Sequence, residues 1–462
     1  MKDYISKIHF VGIGGVGMAG IAEVCLNLGY VITGSDIRAN PTVRRLKSLG
    51  ANIQIGHEAN HVKICDVVVT STAIGAGNPE VDYAKEHRIP IIPRAEMLAE
   101  LMRMQFGIAI AGTHGKTTTT SLAAAILTEG GLDPTFVIGG LLKQVGSNAR
   151  LGHSKYLIAE ADESDASFLH LSPMMSVITN IDEDHMETYQ GDYQILENTF
   201  VEFIHRLPFY GMAVLCIDDE NVRNIIPKLS RKLFTYGFSA EADVRGYDVI
   251  VKGLVMRFKV KAFDLAPFEV TLTQPGEHNV LNALAAITVA LELNVEVSKI
   301  QVALSKFGGV GRRFEVTNQR IIGGKKVTLV DDYGHHPTEL EATLKTARNS
   351  YPDKRLVLVF QPHRYTRTRD MFDEFVQALK EPDLLVLTQV YPAGEPPLSA
   401  FDSKSLLKSL RLQGKTNLVH ADELVDLDEI AGNVLLDDDL VLIMGAGDIG
   451  RVAKTWSEQG ES

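Results

Sequence analysis

Residues 106–125 read FGIAIAGTHGKTTTTSLAAA: an apolar run, a glycine-bounded turn and a run of small residues suited to a helix, with no break between them. Few backbones accommodate that order. A buried strand must end, the chain must turn through glycine, and a helix must begin with its free N–H groups aimed back at the turn. Such a turn cradles phosphate oxygens. Gly112, Thr113, His114, Gly115, Lys116, Thr117 and Thr118 are therefore the candidate ATP phosphate loop. Lys116 is placed to neutralise the β and γ phosphates, and Thr117 to offer its hydroxyl to Mg²⁺. The spacing departs from the standard P-loop, because Ile110 stands where a glycine belongs six residues before the lysine. The bland alternative is a glycine-rich strand–helix turn with a solvated lysine.

The rest of the chain repeats the same alternation of short apolar runs with helical periods, the signature of βαβ units and mainly parallel sheets. IHFVGIGG, YVITGSD and DVVVTSTAI are expected strands of a first unit, and 94–104 its exit helix. FGIAIAG, YLIAEADESD, MMSVITNIDEDH and AVLCIDDE supply a second, with antiparallel strands expected over 240–275 and a helix over 278–293. After the glycine-rich FGGVG come KVTLVDDYG, RLVLVFQP, DLLVLTQVYP and DLVLIMGAG. At roughly 150 residues per domain, 462 residues allow about three. The expectation is an α/β protein of three domains. A Rossmann-like N-terminal domain (1–105) precedes a P-loop ATPase domain with a mostly parallel sheet (106–311), and a Rossmann-like C-terminal domain (312–462) follows.

Composition removes several classes. A formal net charge of -12 opposes non-specific nucleic-acid binding. Cys25, Cys65 and Cys216 lie far apart, in neither a disulfide framework nor a zinc pattern, which suits a reducing cytoplasm. The N-terminal apolar run is too short for a signal-peptide core, and no stretch of about 18 apolar residues predicts a membrane span.

AGTHGKTTTT resembles the phosphate loop of the Mur ligases, in which the first Walker glycine is commonly shifted. The resemblance continues through HFVGIGGVGMAGIAE, IAEADESDASFLHL, NIDEDHMETY, GEHNVLNALAA, GVGRRFE, VDDYGHHPTE, FQPHRYTRTRD and VYPAGE, and is strongest to the alanine-adding branch. It implies a first domain for the UDP-sugar, a second for ATP and a third for the amino acid. It implies that Thr117, Glu160 and His185 bind Mg²⁺. Read without it, Glu160 is one acid in a turn that also holds Asp162, Glu163 and Asp165, and His185 is a loop histidine with a side chain magnesium does not favour. It further implies Asn279 at the adenine, where the bland reading is a helix cap, and Arg313 and Asp332 on ATP from the third domain, where Arg312-Arg313 alone reads as a basic linker. Tyr333, His335, Arg364 and Arg367 are then beside the amino acid, the two arginines gripping carboxylate or phosphoryl oxygens.

Gly12-Ile13-Gly14-Gly15-Val16-Gly17 fits GxGxxG after a strand, with Asp36 ending the next strand, so taken alone it favours a dinucleotide and an NAD(P)-dependent dehydrogenase. The resemblance instead puts uridine diphosphate there, with Gly14, Gly15, Asp36, Ser71 and Arg94 around it. The second GxGxxG, at 445–450, leaves too little chain for another unit and is read as a strand–helix turn. A nucleotide-sensing switch without ligase activity is the other rival. What the family implies is ATP-dependent joining of L-alanine to UDP-N-acetylmuramate by way of an acyl phosphate. A branch that adds a peptide to the same sugar nucleotide is the alternative, and oligomeric state, monomer or dimer, is left open. Several relatives carry a carbamylated lysine shortly after the histidine matching His185. No lysine occurs in 186–206 here, so Glu197 or Glu202 is expected to substitute for its charge.

Overall fold

The computed structural model describes residues 4–71 and 73–459. The chain packs as two units, one of residues up to 247 with 259–270 and 281–308, the other of 248–258, 271–280 and 309 onward.

The first unit holds one sheet and most of a second, whose last three strands in chain order extend into the other unit. β1 (Lys7–Val11), β2 (Val31–Asp36), β3 (Asn52–Ile55), β4 (Val67–Thr70) and β5 (Ile91–Pro93) form an all-parallel sheet in the order β3-β2-β1-β4-β5. The order reverses at β1, the switch point at which Rossmann-like sheets take ligands beyond the strand ends. The helix Val16–Asn27 leaves β1 through the glycine turn. It is buried over most of its length because its other face packs on the next sheet, where a Cβ on Gly20 would lie 3.2 Å from Val137 and Ala149.

The second sheet contains β6 (Phe106–Ala111), β7 (Thr135–Leu142), β8 (Ser147–Arg150), β9 (Tyr156–Glu160), β10 (Met175–Ile178), β11 (Met212–Cys216), β12 (Lys232–Gly237), β13 (Val244–Lys252), β14 (Val255–Ala262) and β15 (Phe268–Leu272). Its order is β15-β14-β13-β12-β11-β10-β6-β9-β7-β8. β6 lies between β9 and β10, all parallel. Its Ile108, Ala109 and Ile110 are fully buried, as a strand covered on both faces requires. One apolar core runs from Ile8 and Phe10 through Leu157 and Ile178 to Phe200 and Leu215, so the two sheets share it.

The second unit is built on β16 (Glu315–Ile322), β17 (Lys325–Asp332), β18 (Leu356–Phe360), β19 (Leu384–Thr388), β20 (Leu418–Ala421) and β21 (Leu440–Met444), in the order β16-β17-β21-β18-β19-β20. Only the edge pair β16–β17 is antiparallel. Every residue of β18, β19 and β21 is buried. Gly445, at φ +148°, turns β21 into the helix Ile449–Glu458, the role expected of the second glycine motif. Among the described residues no helix is long and apolar enough to cross a membrane.

Candidate active site

The phosphate loop joins β6 to the helix Lys116–Glu129, and two glycines set its path. Gly112 has φ +125°, and a Cβ there would lie 2.0 Å from Thr179 Oγ1 and 2.9 Å from Thr179 N. Gly115 has φ +82°, and its missing Cβ leaves room for Asn282 Oδ1 at 2.5 Å. Only glycine meets both demands, conformation and clearance. The segment after β10 braces the loop from beside. His114 N donates to Asn180 Oδ1 (2.8 Å), Thr113 N to Asn180 O (3.2 Å), and Thr179 Oγ1 to His114 O (2.6 Å). Asp182 N donates to Thr113 Oγ1 (2.9 Å), and the Asp182 carboxylate lies 3.1 Å from His114 Nε2.

Lys116 is not a solvated lysine. Its Nζ donates to the carbonyls of Gly112 (2.7 Å) and Thr113 (3.0 Å) and to Glu163 Oε1 (2.8 Å). Burial opposes the ammonium charge, but Glu163 and Asp162 outweigh it and raise its pKa. Burial pushes the Glu163 carboxyl up to about 7 against the pull of Lys116. Thr117 Oγ1 donates to Glu160 Oε2 (3.2 Å), and Gly139 N donates to Glu160 Oε1 (2.6 Å). The hydroxyl and carboxylate expected at magnesium are thus adjacent, an all-oxygen pair suited to a hard cation. His185 follows on the loop after β10, at φ +53°, with Nε2 3.5 Å from Asp184 Oδ2.

The N-terminal glycine turn is built the same way. Gly12 has φ +76°, and Gly12 N and Ile13 N both donate to Ser35 O (2.8 and 3.0 Å). Gly14 N donates to Asp36 Oδ2 (2.8 Å), so Asp36 is tied to the turn. A Cβ on Gly14 would lie 2.7 Å from that carboxylate. Gly15 precedes the helix as its cap, in extended conformation. Ser71 ends the β4 side and accepts from Ile74 N. Arg94 opens the helix Arg94–Arg103, faces Gly17, and places its guanidinium 3.3 Å from Asp162. It therefore links the first sheet to the acidic loop after β9.

In the second unit, Asp332 ends β17 and accepts from Phe314 N (2.8 Å) and Gly334 N (2.7 Å). Burial raises its pKa against the pull of Arg313. The guanidiniums of Arg312 and Arg313 each lie 5.2 Å from the centre of the Tyr333 ring. Tyr333, His335, His363 and Tyr391 form a continuous run of ring contacts at 5.4–5.6 Å. Arg367 is buried and donates to His363 O (3.0 Å), while Arg364, at φ +71°, lies 3.5 Å from Glu395. Asp370 accepts from Arg369 Nε (2.6 Å). Asn279 Nδ2 donates to Pro275 O (2.6 Å), a local bond at the start of the helix Glu277–Glu292.

Sequence reasoning missed three groups here. Glu163, passed over for Glu160, holds Lys116. Asn180 and Asp182 hold the loop backbone. Asn282 Oδ1 accepts from Thr119 Oγ1 (3.1 Å) and packs on Gly115, on the helix that carries the phosphate-loop contact. Its spacing three residues after Asn279 was the available signal. Glu197 is held by Lys228 and Glu202 by Arg206, so each acid considered in place of a carbamylated lysine has a cation of its own.

The chain carries a P-loop strand–turn–helix, a Rossmann-like parallel sheet and a third, mostly parallel sheet, the architecture of a nucleotide-dependent ligase. The chain belongs to the Mur ligase family. Residues 7–106 match the model of the Mur ligase family catalytic domain, 110–290 the Mur ligase middle domain, and 312–447 the Mur ligase glutamate ligase domain. It is 72% identical to the UDP-N-acetylmuramate–L-alanine ligase of Hydrogenovibrio crunogenus, over 99% of this chain and 100% of that one. It is 56% identical to the ligase of the same name from Methylococcus capsulatus, over 98% and 96%. The solved UDP-N-acetylmuramate–alanine ligase of Thermotoga maritima superposes with a TM-score of 0.83 at 28% identity, covering 98% of each chain. A murein peptide ligase from Psychrobacter arcticus superposes at 0.74 and 25% identity, covering 99% of each.

Proposed function

We propose that this chain joins L-alanine to the lactyl carboxylate of UDP-N-acetylmuramate, consuming ATP and releasing ADP and phosphate, as a cytoplasmic step of cell-wall precursor synthesis. The observation that carries this is the 72% identity over the whole chain to a ligase of that name, joined to a phosphate loop whose Lys116 bonds Glu163 and whose Thr117 bonds Glu160. Residues 1–105 are assigned to the UDP-sugar, 106–311 to ATP and 312–462 to the amino acid.

A carboxylate is a poor acyl donor because its oxygen leaves poorly. Transfer of the γ-phosphoryl group to the lactyl carboxylate turns that oxygen into a phosphate leaving group. The unprotonated amine of L-alanine then attacks the acyl carbon, and the tetrahedral adduct collapses with loss of phosphate. Lys116 exchanges its hold on Glu163 for the phosphates, and the backbone N–H groups that follow it orient them. Thr117, Glu160 and His185 are the residues assigned to magnesium, which when bound neutralises phosphate charge. Arg364 and Arg367 grip anionic oxygens, while Tyr333 and His335 wall the amino-acid side. Positioning and electrostatics supply the rate.

Coupled ADP release with UDP-N-acetylmuramate, scanned over amino acids, tests the reading. A small pocket separates side chains differing by one methylene by only about 10–200-fold. L-alanine is expected to react fastest, glycine and L-serine more slowly, and a tripeptide not usefully. A higher kcat/KM for the tripeptide would transfer the assignment to the peptide-adding branch.

A further inference from the structure

Glu80 opens the helix Pro79–Glu86 as a fully buried carboxylate, and neither its sequence context nor the assigned chemistry explains it. Four side chains from four segments surround it. Ser35 Oγ donates to Oε2 at 2.5 Å, His57 Nδ1 lies 3.1 Å from Oε2, His61 Nδ1 2.6 Å from Oε1, and His9 Nε2 3.7 Å from Oε2. His9 is itself oriented by Thr33 Oγ1, 2.8 Å from its Nδ1. Burial opposes the Glu80 charge, but His9, Ser35 and His61 outweigh it and hold the carboxyl down to about 2. A buried ion set of this kind gives less stability than an apolar one of equal volume. Its position suggests another use. Ser35 is the residue whose carbonyl accepts both Gly12 N and Ile13 N, and the next residue, Asp36, accepts Gly14 N.

We propose that Glu80 is a positioning residue for the sugar nucleotide: by fixing Ser35 from beneath, it sets the path of the Gly12–Gly15 turn that faces the diphosphate. The proposal rests on the assignment of that turn to UDP-N-acetylmuramate. The chain of contacts is short, from carboxylate to hydroxyl, through one residue to its carbonyl, and on to two N–H groups of the turn. It does not pass through the phosphate loop, so its effect is confined to one substrate.

The test uses the full-length protein as wild type, Glu80→Gln, Ser35→Ala and the double variant. Calorimetry gives Kd for UDP-N-acetylmuramate and for ATP, and steady-state rates give KM for each substrate. In Glu80→Gln the amide keeps the shape but loses the charge, and its NH₂ faces donors. Charge-assisted hydrogen bonds of this strength correspond to about tenfold or more in affinity. Expected are a rise of that order in Kd and KM for the sugar nucleotide, with kcat and the KM values for ATP and L-alanine unchanged. Ser35→Ala is expected to weaken the same affinity alone, and the double variant to be no worse than Glu80→Gln, because both cut one chain. Should Glu80→Gln fail to fold, Ser35→Ala decides: unchanged affinity for the sugar nucleotide overturns the proposal. So does a folded Glu80→Gln with wild-type Kd, or one that loses ATP affinity and kcat equally. A wild type that binds no UDP-sugar would instead bring down the assignment of the turn itself.

Discussion

Lys116→Ala removes three hydrogen bonds at once, to Gly112 O, Thr113 O and Glu163. Leaving a buried carboxylate without its cation ordinarily costs 3–5 kcal/mol (roughly). Here protonation limits that cost. Glu163 is pushed up to about 7 even with Lys116 beside it, so near neutrality a proton replaces the lysine at little expense. The remaining loss is that of the hydrogen bonds, about 1–3 kcal/mol, and the fold survives. The sign of the pH dependence follows. An acid whose folded pKa lies above its unfolded value loses stability as pH rises through that interval. In the wild type the loss from Glu163 ends near its folded pKa of about 7. Without Lys116 the folded pKa is higher still, and the loss continues above that pH. The stability gap between wild type and variant is therefore expected to be steady at and below pH 7, then to widen by at most ~1.4 kcal/mol per pH unit. Thermal melts at pH 6.5 and 8.5, beside coupled ADP release, check both parts. Ligation should fall by about 10²–10³-fold or more, as when one preorganised donor at a developing charge is removed. A folded variant with near-normal turnover, or a gap that does not change with pH, would refute the reasoning.

Three further outcomes are expected. Gly112→Ala forces an L-residue to φ +125° with its Cβ 2.0 Å from Thr179 Oγ1; it should lose about 1–3 kcal/mol and raise KM for ATP, and an unchanged melt and KM would show the loop is not held as described. Glu80, held down to about 2, contributes stability that is present above its unfolded pKa near 4.5 and lost as pH falls through the folded value, up to about 3 kcal/mol; acid melts of wild type and Glu80→Gln should therefore converge between pH 4.5 and 2, and parallel curves would contradict this. Because 186–206 contains no lysine, activity after incubation at low pH should not depend on added bicarbonate, and rescue by bicarbonate in a rate assay would show a carbamylated lysine elsewhere.

The sequence by itself determined the parts governed by local rules. The phosphate loop was legible because strand, glycine turn and helix must follow in that order, and because φ +125° at Gly112 and +82° at Gly115 admit little else. β1, β2, β6, β9, β10, β18 and β21 were legible as short apolar runs, since strands covered on both faces need no alternation. β3, β7 and β16 were not. β3 has one buried residue in four, β7 has an exposed and half-exposed stretch, and β16 is an exposed edge, so their pairing, not their composition, makes them strands. The tertiary structure alone decided which carboxylate serves which partner. Asp162, Glu163 and Glu160 crowd four residues, and only the path of the loop after β9 sends Glu163 to Lys116, Glu160 to Thr117 and Asp162 to Arg94. It likewise gathered His9, Ser35, His57, His61 and Glu80 from positions spread over 72 residues. Local sequence fixes φ, ψ and burial pattern over a few residues, whereas a carboxylate's partner depends on directions set by strands far away in the chain, which no short window contains.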